Sequence, residues 1–228
     1  MSDIQIIQGD CLEVMKTFDD NQFDLVLTDP PYGIKEARND NASRGRARGG
    51  LNNNAMGYSK DYPIEAWDDS PPSQAYFDEM LRIGQEQIIF GANHFSDKLP
   101  RSSCWIVWDK DNGNNDFADC ELAWASYKKA VRKFVWRWHG LFQEDMKNKE
   151  ERFHRNQKPS GLFAQILERY TNEGDTVLDP FLGSGTTAVA CERMGRNCVG
   201  IEISEEYCNI ARKRVQEEKD KMGLFSDL

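Results

Sequence analysis

The sequence predicts an α/β protein built around a doubly wound, mostly parallel sheet. Short apolar runs alternate with amphipathic helical stretches, which is the pattern of strands covered by helices on both sides. One apolar run is followed at once by a glycine-rich turn that opens a helix. The 228 residues are enough to bury a sizeable core, and we expect a single domain over 1–228.

Seven apolar runs are predicted as the strands of this sheet. They lie at 4–7 and 23–27 and in EQIIFGA, CWIVWDK, KKAVRKFVWRW, DTVLDPF and RNCVGIEI. Helices are expected near 11–16 and in SPPSQAYFDEMLRIG, FADCELAWASY, KPSGLFAQILERYTNEG, LGSGTTAVACERMG and SEEYCNIARKRVQEEKDKM. Two polar segments without any period, 35–62 and 139–157, are expected to be loops.

The composition narrows the class of protein. The first residues are polar and no apolar run reaches the length of a membrane span, so we expect a cytoplasmic protein. The six cysteines show no C-x-x-C pair and no zinc spacing, which predicts reduced thiols and no metal site. The net charge of −9 is uneven: 35–60 carries six Lys and Arg against two acids, and 127–158 carries ten against four. These basic segments are either solvated faces or the binding place of a polyanion.

The stretch TDPPYGI, at 28–34, comes directly after the apolar run FDLVL. Two prolines end a strand and stiffen the loop after it, because each ring fixes φ and removes a backbone donor. Asp29 and Tyr32 are therefore predicted to be held at the carboxyl end of a strand, where open α/β sheets bind ligands. The alternative is a tight loop with a solvated aspartate and a packing tyrosine.

The turn LGSGTT predicts a ligand site of its own. Gly183 and Gly185 allow close backbone approach, and the helix after them offers free N–H groups. Glu202 comes 19 residues after Gly183, at the end of the next predicted strand, where an acid can bind both hydroxyls of a ribose. Asp179, before the turn, disfavours a pyrophosphate and suits a positively charged nucleoside. The alternative is an ordinary strand–turn–helix unit with a surface glutamate.

Four segments together resemble the amino-methyltransferase branch of the S-adenosylmethionine-dependent DNA methyltransferases. They are DPPY at 29–32, DPFLGSGTT at 179–187, NQKPSGLF at 156–163 and IIQGDCLEVM at 6–15. The catalytic motif comes first and the cofactor motif last, an order similar to the permuted β group of the family. The resemblance implies a Rossmann-like methyltransferase fold; the middle of the chain, 35–155, matches only in pieces such as IIFGANHF and WIVWDK.

The resemblance also implies a set of site residues. Asp29 and the Pro30 carbonyl would accept the hydrogen bonds of an exocyclic amine, Pro31 would stiffen the loop and Tyr32 would stack on the base. Asp10 would bind the adenine of S-adenosylmethionine, Glu202 its ribose, and Ile203 would pack on its ring. The full set implied for the cofactor is Asp10, Cys11, Lys158, Asp179, Phe181, Gly183, Ser184, Gly185, Thr186, Thr187, Glu202 and Ile203. Lys158 would sit on the methionine side, or else be a surface cation before a helix.

Such a site reaches an amine only when the base is flipped out or already unpaired. The expected partner is double-stranded DNA, held by cations of the two basic loops. The residues predicted to contact it are Arg38, Arg44, Arg46, Arg48, Arg132, Lys133, Arg137 and Arg155. The resemblance suggests a homodimer and a role in restriction–modification in a bacterial or phage-infected cell. The tail KMGLFSDL loosely resembles a sliding-clamp peptide through Leu224 and Phe225.

The sequence leaves several other functions open. Cytosine-N4 methylation uses the same chemistry, but the cytosine members of the family more often carry Ser where this chain has Asp29, which favours adenine-N6. RNA is an alternative substrate, and protein-glutamine methylation uses a related motif with Asn at that position. A non-catalytic nucleic-acid-binding protein would be expected to have lost Asp29, Tyr32 or the glycine-rich turn. A dehydrogenase is disfavoured because Ala188 stands where a third glycine would fall.

Overall fold

The computed structural model describes residues 2–34, 70–113, 118–139, 142–153 and 156–226. The strands are β1 (Ile4–Gln8), β2 (Phe23–Thr28), β3 (Gly84–Phe90), β4 (Cys104–Asp109), β5 (Cys120–Ala125), β6 (Arg132–Val135), β7 (Trp138–His139), β8 (Phe142–Gln143), β9 (Thr176–Asp179) and β10 (Asn197–Glu202). The helices are α1 (Cys11–Met15), α2 (Gln74–Ile83), α3 (Ser160–Tyr170), α4 (Thr186–Met194) and α5 (Glu205–Ser226).

Eight of the strands form one sheet in the order β1-β10-β9-β2-β3-β5-β4-β6, and β7 pairs with β8 in a small separate ladder. Every neighbouring pair in the large sheet is parallel except the two that involve β5. The carboxyl ends of seven strands and the start of β5 therefore meet at one edge of the sheet. The predicted doubly wound, mostly parallel sheet is confirmed, but the predicted number of seven strands is wrong.

The extra strand is β5, in the segment FADCELAWASY, for which the sequence predicts a helix. Alanine, leucine and glutamate are good helix formers, but this segment is inserted between β3 and β4. Ala123, Trp124 and Ala125 are buried there, and Trp124 lies opposite Trp105 across the ladder. Burial on both faces of the sheet outweighs the local helix preference.

Two apolar cores cover the two faces of the sheet. One contains residues of α3, α4 and α5, among them Phe163, Ala188 and Val215. The other contains residues of α1 and α2, among them Met15 and Phe77. Helices thus pack on both faces, as expected for a doubly wound sheet.

All six cysteines are free thiols. No helix within the described ranges is both long and apolar enough to cross a membrane.

Candidate active site

A cavity of about 1100 Å³ opens along the carboxyl edge of the sheet. Its walls bring together segments that are far apart in the sequence: 9–11 after β1, 29–32 after β2, 156–158 before α3, 179–183 after β9 and 201–204 at the end of β10. Parallel strands place their carboxyl ends side by side, which explains this convergence. The predicted catalytic loop and the predicted cofactor turn thus border the same cavity.

The side chains of the DPPY loop contact a buried lysine. The Tyr32 hydroxyl donates to Asp29 Oδ1 at 2.5 Å, and Lys158 Nζ donates to Asp29 Oδ2 at 2.5 Å. Lys158 Nζ is also 3.2 Å from the Tyr32 hydroxyl. Both carboxylate oxygens of Asp29 are therefore engaged. The ammonium of Lys158 thus lies against the catalytic loop, in the same cavity as the turn predicted for the cofactor.

Burial and charge act in opposite directions on this pair. Burial raises the pKa of Asp29, and Lys158 and the Tyr32 hydroxyl reduce that rise without cancelling it. Burial by itself would lower the pKa of Lys158, but the carboxylates of Asp29 and Glu121 outweigh it and leave that pKa raised. The Lys158 side chain is only 6% exposed, so its charge depends on these two partners.

Glu121, on β5, extends this contact into a longer network. Its Oε2 lies 3.2 Å from Lys158 Nζ and its Oε1 lies 2.6 Å from Lys110 Nζ. Burial raises the pKa of Glu121, but Lys158 and Lys110 more than offset this and bring it down to about 2. Glu121 is therefore a fixed negative charge at the edge of the cavity. The sequence patterns point to neither Glu121 nor Lys110.

The turn after β3 holds the ring of Tyr32. Gly91 has a φ of +67°, and a Cβ there would come within 1.9 Å of the Tyr32 ring. The ring of His94 stacks on Tyr32 with centroids 5.0 Å apart and an angle of 15°. Phe95 packs against Tyr32 at a tilt, with centroids 6.5 Å apart. Tyr32 lines the cavity, whereas His94 is not among its lining residues.

The glycine-rich turn reaches its shape through two left-handed glycines. Gly183 has a φ of 54° and Gly185 a φ of 89°, values that side chains with a Cβ rarely adopt. A Cβ on Gly185 would also lie 2.7 Å from the Cβ of Ala211 on α5. Ser184 points inward, donating to Gln157 at 3.1 Å and accepting from Arg214 at 3.0 Å. Gly185 and Ser184 thus shape the turn and do not line the cavity.

Asp179 ties the turn to the catalytic strand. It accepts hydrogen bonds from Thr28 at 2.6 Å, from Thr187 at 2.5 Å and from the Phe181 backbone at 3.1 Å. Burial raises the pKa of Asp179 to about 6, although these hydrogen bonds lower it. Thr186 donates to the Lys158 carbonyl at 3.1 Å, which links α4 to the segment before α3.

At the other end of the cavity lie the two acids predicted for a nucleoside. Asp10 caps α1 by accepting from the Leu12 backbone at 2.8 Å. Glu202 accepts from the backbone N–H groups of Gly183, at 2.8 Å, and Ser204, at 2.9 Å. β1 and β10 are adjacent in the sheet, so the two carboxylates face the same end of the cavity.

Apolar groups complete this end of the cavity. Ile203 is 70% exposed, and the ring of Phe181 lies 6.0 Å from that of Tyr76. Burial raises the pKa of the Cys11 thiol to about 12, so Cys11 is a neutral lining group. Two fixed carboxylates beside exposed apolar surface fit the hydroxyls, amine and ring of an S-adenosyl group.

The cations predicted to contact DNA are only partly within the described residues. Lys133 pairs with Asp109 at 3.1 Å and Arg137 pairs with Asp111. Arg132 and Lys133 lie on the edge strand β6, and Arg137 comes just after it. Such surface pairs are weak. Five of the predicted cations lie outside the described residues: Arg38, Arg44, Arg46, Arg48 and Arg155. The side chains of Leu224 and Phe225 lie outside them as well.

The comparisons with known proteins agree with this geometry. Type II methyltransferase M.HinfI of Haemophilus influenzae is 27% identical over 94% of this chain and 68% of its own length. Type II methyltransferase M.HpaI of Haemophilus parainfluenzae is 25% identical over 95% of this chain and 75% of its own length. The crystal structure of the M1.HpyAVI–SAM complex is 26% identical, covers 92% of this chain and 99% of its own, and has a TM-score of 0.53.

A more distant structure shares only the fold. The cytosine-N4-specific PvuII DNA methyltransferase is 14% identical, with a TM-score of 0.59 over 96% of this chain and 91% of its own. The family model N6_N4_Mtase, described as DNA methylase, matches residues 93–213, which is more than half of the chain. The chain belongs to this family of DNA methylases, as the paired DPPY and DPFLGSGTT motifs predicted.

Proposed function

We propose that this DNA methylase transfers the methyl group of S-adenosylmethionine to the exocyclic N6 amine of an adenine that is flipped out of double-stranded DNA. The observation that carries the proposal is the single cavity bordered by Asp29 at one end and by Glu202 at the other. S-adenosylmethionine is the methyl donor, in keeping with the family and with the relative solved in complex with it.

The chemistry is dictated by the weakness of the amine. An exocyclic amine is a poor nucleophile because its lone pair is delocalised into the ring. Asp29 and the Pro30 carbonyl would accept its two N–H bonds and direct the lone pair outward. S-adenosylmethionine supplies an already activated methyl group, so the protein contributes mainly positioning. Tyr32 would support the base with the ring face that is turned away from His94.

The positions of the cofactor residues suggest their roles. Glu202 and Asp10 would bind the ribose and the adenine, with Ile203 packed on the ring. Phe181 and Gly183 would border the methionine end. The rest of the cavity wall on the cofactor side is formed by Cys11, Asp179, Thr186 and Thr187. Ser184 and Gly185 would act by shaping the turn.

Adenine is proposed over cytosine because Asp29 begins the DPPY motif, where cytosine members more often carry serine. Double-stranded DNA would be gripped by Arg132 and Lys133 of β6 and by Arg137 just after it, together with the basic residues of 35–62. A homodimer, a clamp contact through Leu224 and Phe225, and a cytoplasmic location in a bacterial or phage-infected cell stay predictions.

The test is transfer of labelled methyl from S-adenosylmethionine to unmethylated DNA, followed by nucleoside analysis. We expect N6-methyladenine, and we expect Asp29→Ala to bind the cofactor normally and to transfer methyl about 100-fold more slowly or worse. Asp24→Ala, near the start of the strand that Asp29 follows, is the matched control. N4-methylcytosine would overturn the base assignment, and normal transfer by Asp29→Ala would overturn the catalytic assignment.

A further inference from the structure

The network around Asp29 contains a competitor for the target amine. Both oxygens of Asp29 already accept a hydrogen bond, from Tyr32 and from Lys158. In the proposed function, on which this inference rests, the amine of the target base must donate to one of these oxygens. Each oxygen can accept a second hydrogen bond, but the amine then shares its acceptor with a donor already in place, and Asp29 is the stronger acceptor when that donor gives way.

Lys158 is the donor that can move. The Tyr32 ring is enclosed by Gly91, His94 and Phe95, so its hydroxyl oxygen is held in place. Its O–H can turn between Asp29 and Glu121 Oε2, which lies 3.4 Å away, but the oxygen itself stays beside Asp29. A lysine carries its ammonium on a flexible four-carbon stem. The ammonium of Lys158 cannot simply be released, because a buried charge without a partner is strongly disfavoured.

Glu121 offers the ammonium another partner. Its Oε2 is already 3.2 Å from Lys158 Nζ, so a small movement of the ammonium exchanges its contact with Asp29 for one with Glu121. Glu121 is held on β5, opposite Trp108 in the ladder, and its other oxygen is held by Lys110 at 2.6 Å. The acceptor is thus rigid, charged and in reach.

We propose that Glu121 is a positioning residue of the methyl transfer, which takes the Lys158 ammonium from Asp29 when the target amine binds. It acts through Lys158 and does not itself contact the reacting atoms. The exchange keeps the buried Lys158 ammonium paired before and after the base enters, and it leaves Asp29 with hydrogen bonds from Tyr32 and from the target amine. It applies to an adenine or a cytosine amine alike.

The first test is a double-mutant cycle on methyl transfer. Glu121→Gln leaves Lys158 without a charged alternative, and we expect kcat to fall by about 10-fold with unchanged cofactor affinity. In a Lys158→Met background the same change should have a much smaller effect, because only the long contact of Glu121 with the Tyr32 hydroxyl, at 3.4 Å, then remains. Glu86→Gln, a half-buried glutamate on β3 that contacts Ser126, is the matched control and should keep wild-type kcat in both backgrounds.

The second test is the pH profile of kcat/KM, whose acid limb contains the ionisation of Asp29 and that of its neighbour Asp179, whose pKa is raised to about 6. The groups that face Asp29 are Lys158, Glu121, Tyr32 and Asp179, with Lys110 behind Glu121. Glu121 raises the pKa of Asp29 and Lys158 lowers it. The acid limb should therefore move to lower pH in Glu121→Gln and to higher pH in Lys158→Met.

The outcomes separate the two proposals. The positioning role is wrong, while the proposed function stands, if wild-type protein methylates DNA but Glu121→Gln lowers kcat by the same factor with and without Lys158. The same holds if Glu121→Gln leaves the acid limb of the pH profile unmoved. If wild-type protein binds the cofactor and methylates no DNA, both are overturned. Equal melting temperatures of the variants, or rescue by Glu121→Asp, exclude a mere loss of folding.

Discussion

The rings of Tyr32 and His94 lie nearly parallel, 5.0 Å apart and inclined by 15°. His94 is exposed and belongs to the turn after β3, whereas Tyr32 belongs to the loop after β2. The two strands are neighbours in the sheet, so their carboxyl ends bring the rings together. His94 thus covers one face of the Tyr32 ring and helps to hold the ring in place on the cavity wall.

Replacing His94 with alanine should weaken the grip on the target base. An aromatic pair contributes about 0.5–1.5 kcal/mol, so KM for DNA should rise by about 2- to 10-fold with a smaller change in kcat. Fluorescence of 2-aminopurine at the target position would report the flipped base directly. His94→Phe keeps a ring and should restore most of the loss, and Asn93→Ala, on the same exposed turn, should behave as wild type. An unchanged KM in His94→Ala would argue against this role.

Gly91 should tolerate no side chain. Alanine there must adopt a φ of +67° and place its Cβ 1.9 Å from the Tyr32 ring. We expect the ring to be displaced and kcat to fall by about 10- to 100-fold, the usual effect of a small misplacement. Gly174→Ala carries a φ of +88° but meets nothing within 4 Å, so it shows the cost of backbone strain alone. Equal methyl-transfer rates in the two variants would contradict this prediction.

The sequence was most informative where local chemistry and the fold agree. The left-handed glycines of the 183–185 turn, the prolines of the DPPY loop and the carboxylate of Glu202 all mark the ends of parallel strands. Such ends share one edge whatever lies between them. These residues could therefore be placed at one site from the order of strands and helices alone.

The parts that escaped prediction depend on pairing across long stretches of chain. Residues 120–125 have the composition of a helix and form a strand only because β3 and β4 leave a place between them. Glu121 was missed for that reason, since its approach to Lys158 depends on the antiparallel direction of β5. Nothing in the pattern around His94 points to Tyr32, because only the sheet brings their two turns together.

Asp179 should make the free energy of unfolding depend on pH. Its pKa is raised to about 6 in the folded protein by burial, above the ordinary value of 3.8, so the folded state holds the proton more tightly. The stabilising contribution of Asp179 to the free energy of unfolding is complete below about pH 4 and is lost as the pH rises through 6. The loss amounts to roughly 3 kcal/mol. Urea unfolding between pH 4 and pH 7 should show this slope in wild type and a smaller one in Asp179→Asn; identical slopes would refute the assignment.

Arg214 should be needed for the glycine-rich turn. Its side chain is 6% exposed, and one nitrogen pairs with Glu150 at 2.7 Å while the other donates to the Ser184 carbonyl at 2.6 Å. Arg214→Met leaves both groups without this partner, so the free energy of unfolding should fall by roughly 3–5 kcal/mol. The affinity for S-adenosylmethionine, measured by calorimetry, should fall with it because Ser184 lies inside the turn. Arg212→Met removes an exposed arginine from the same helix and should change neither quantity; a loss in Arg214→Met no larger than in this control would show that the turn holds its shape without the buried pair.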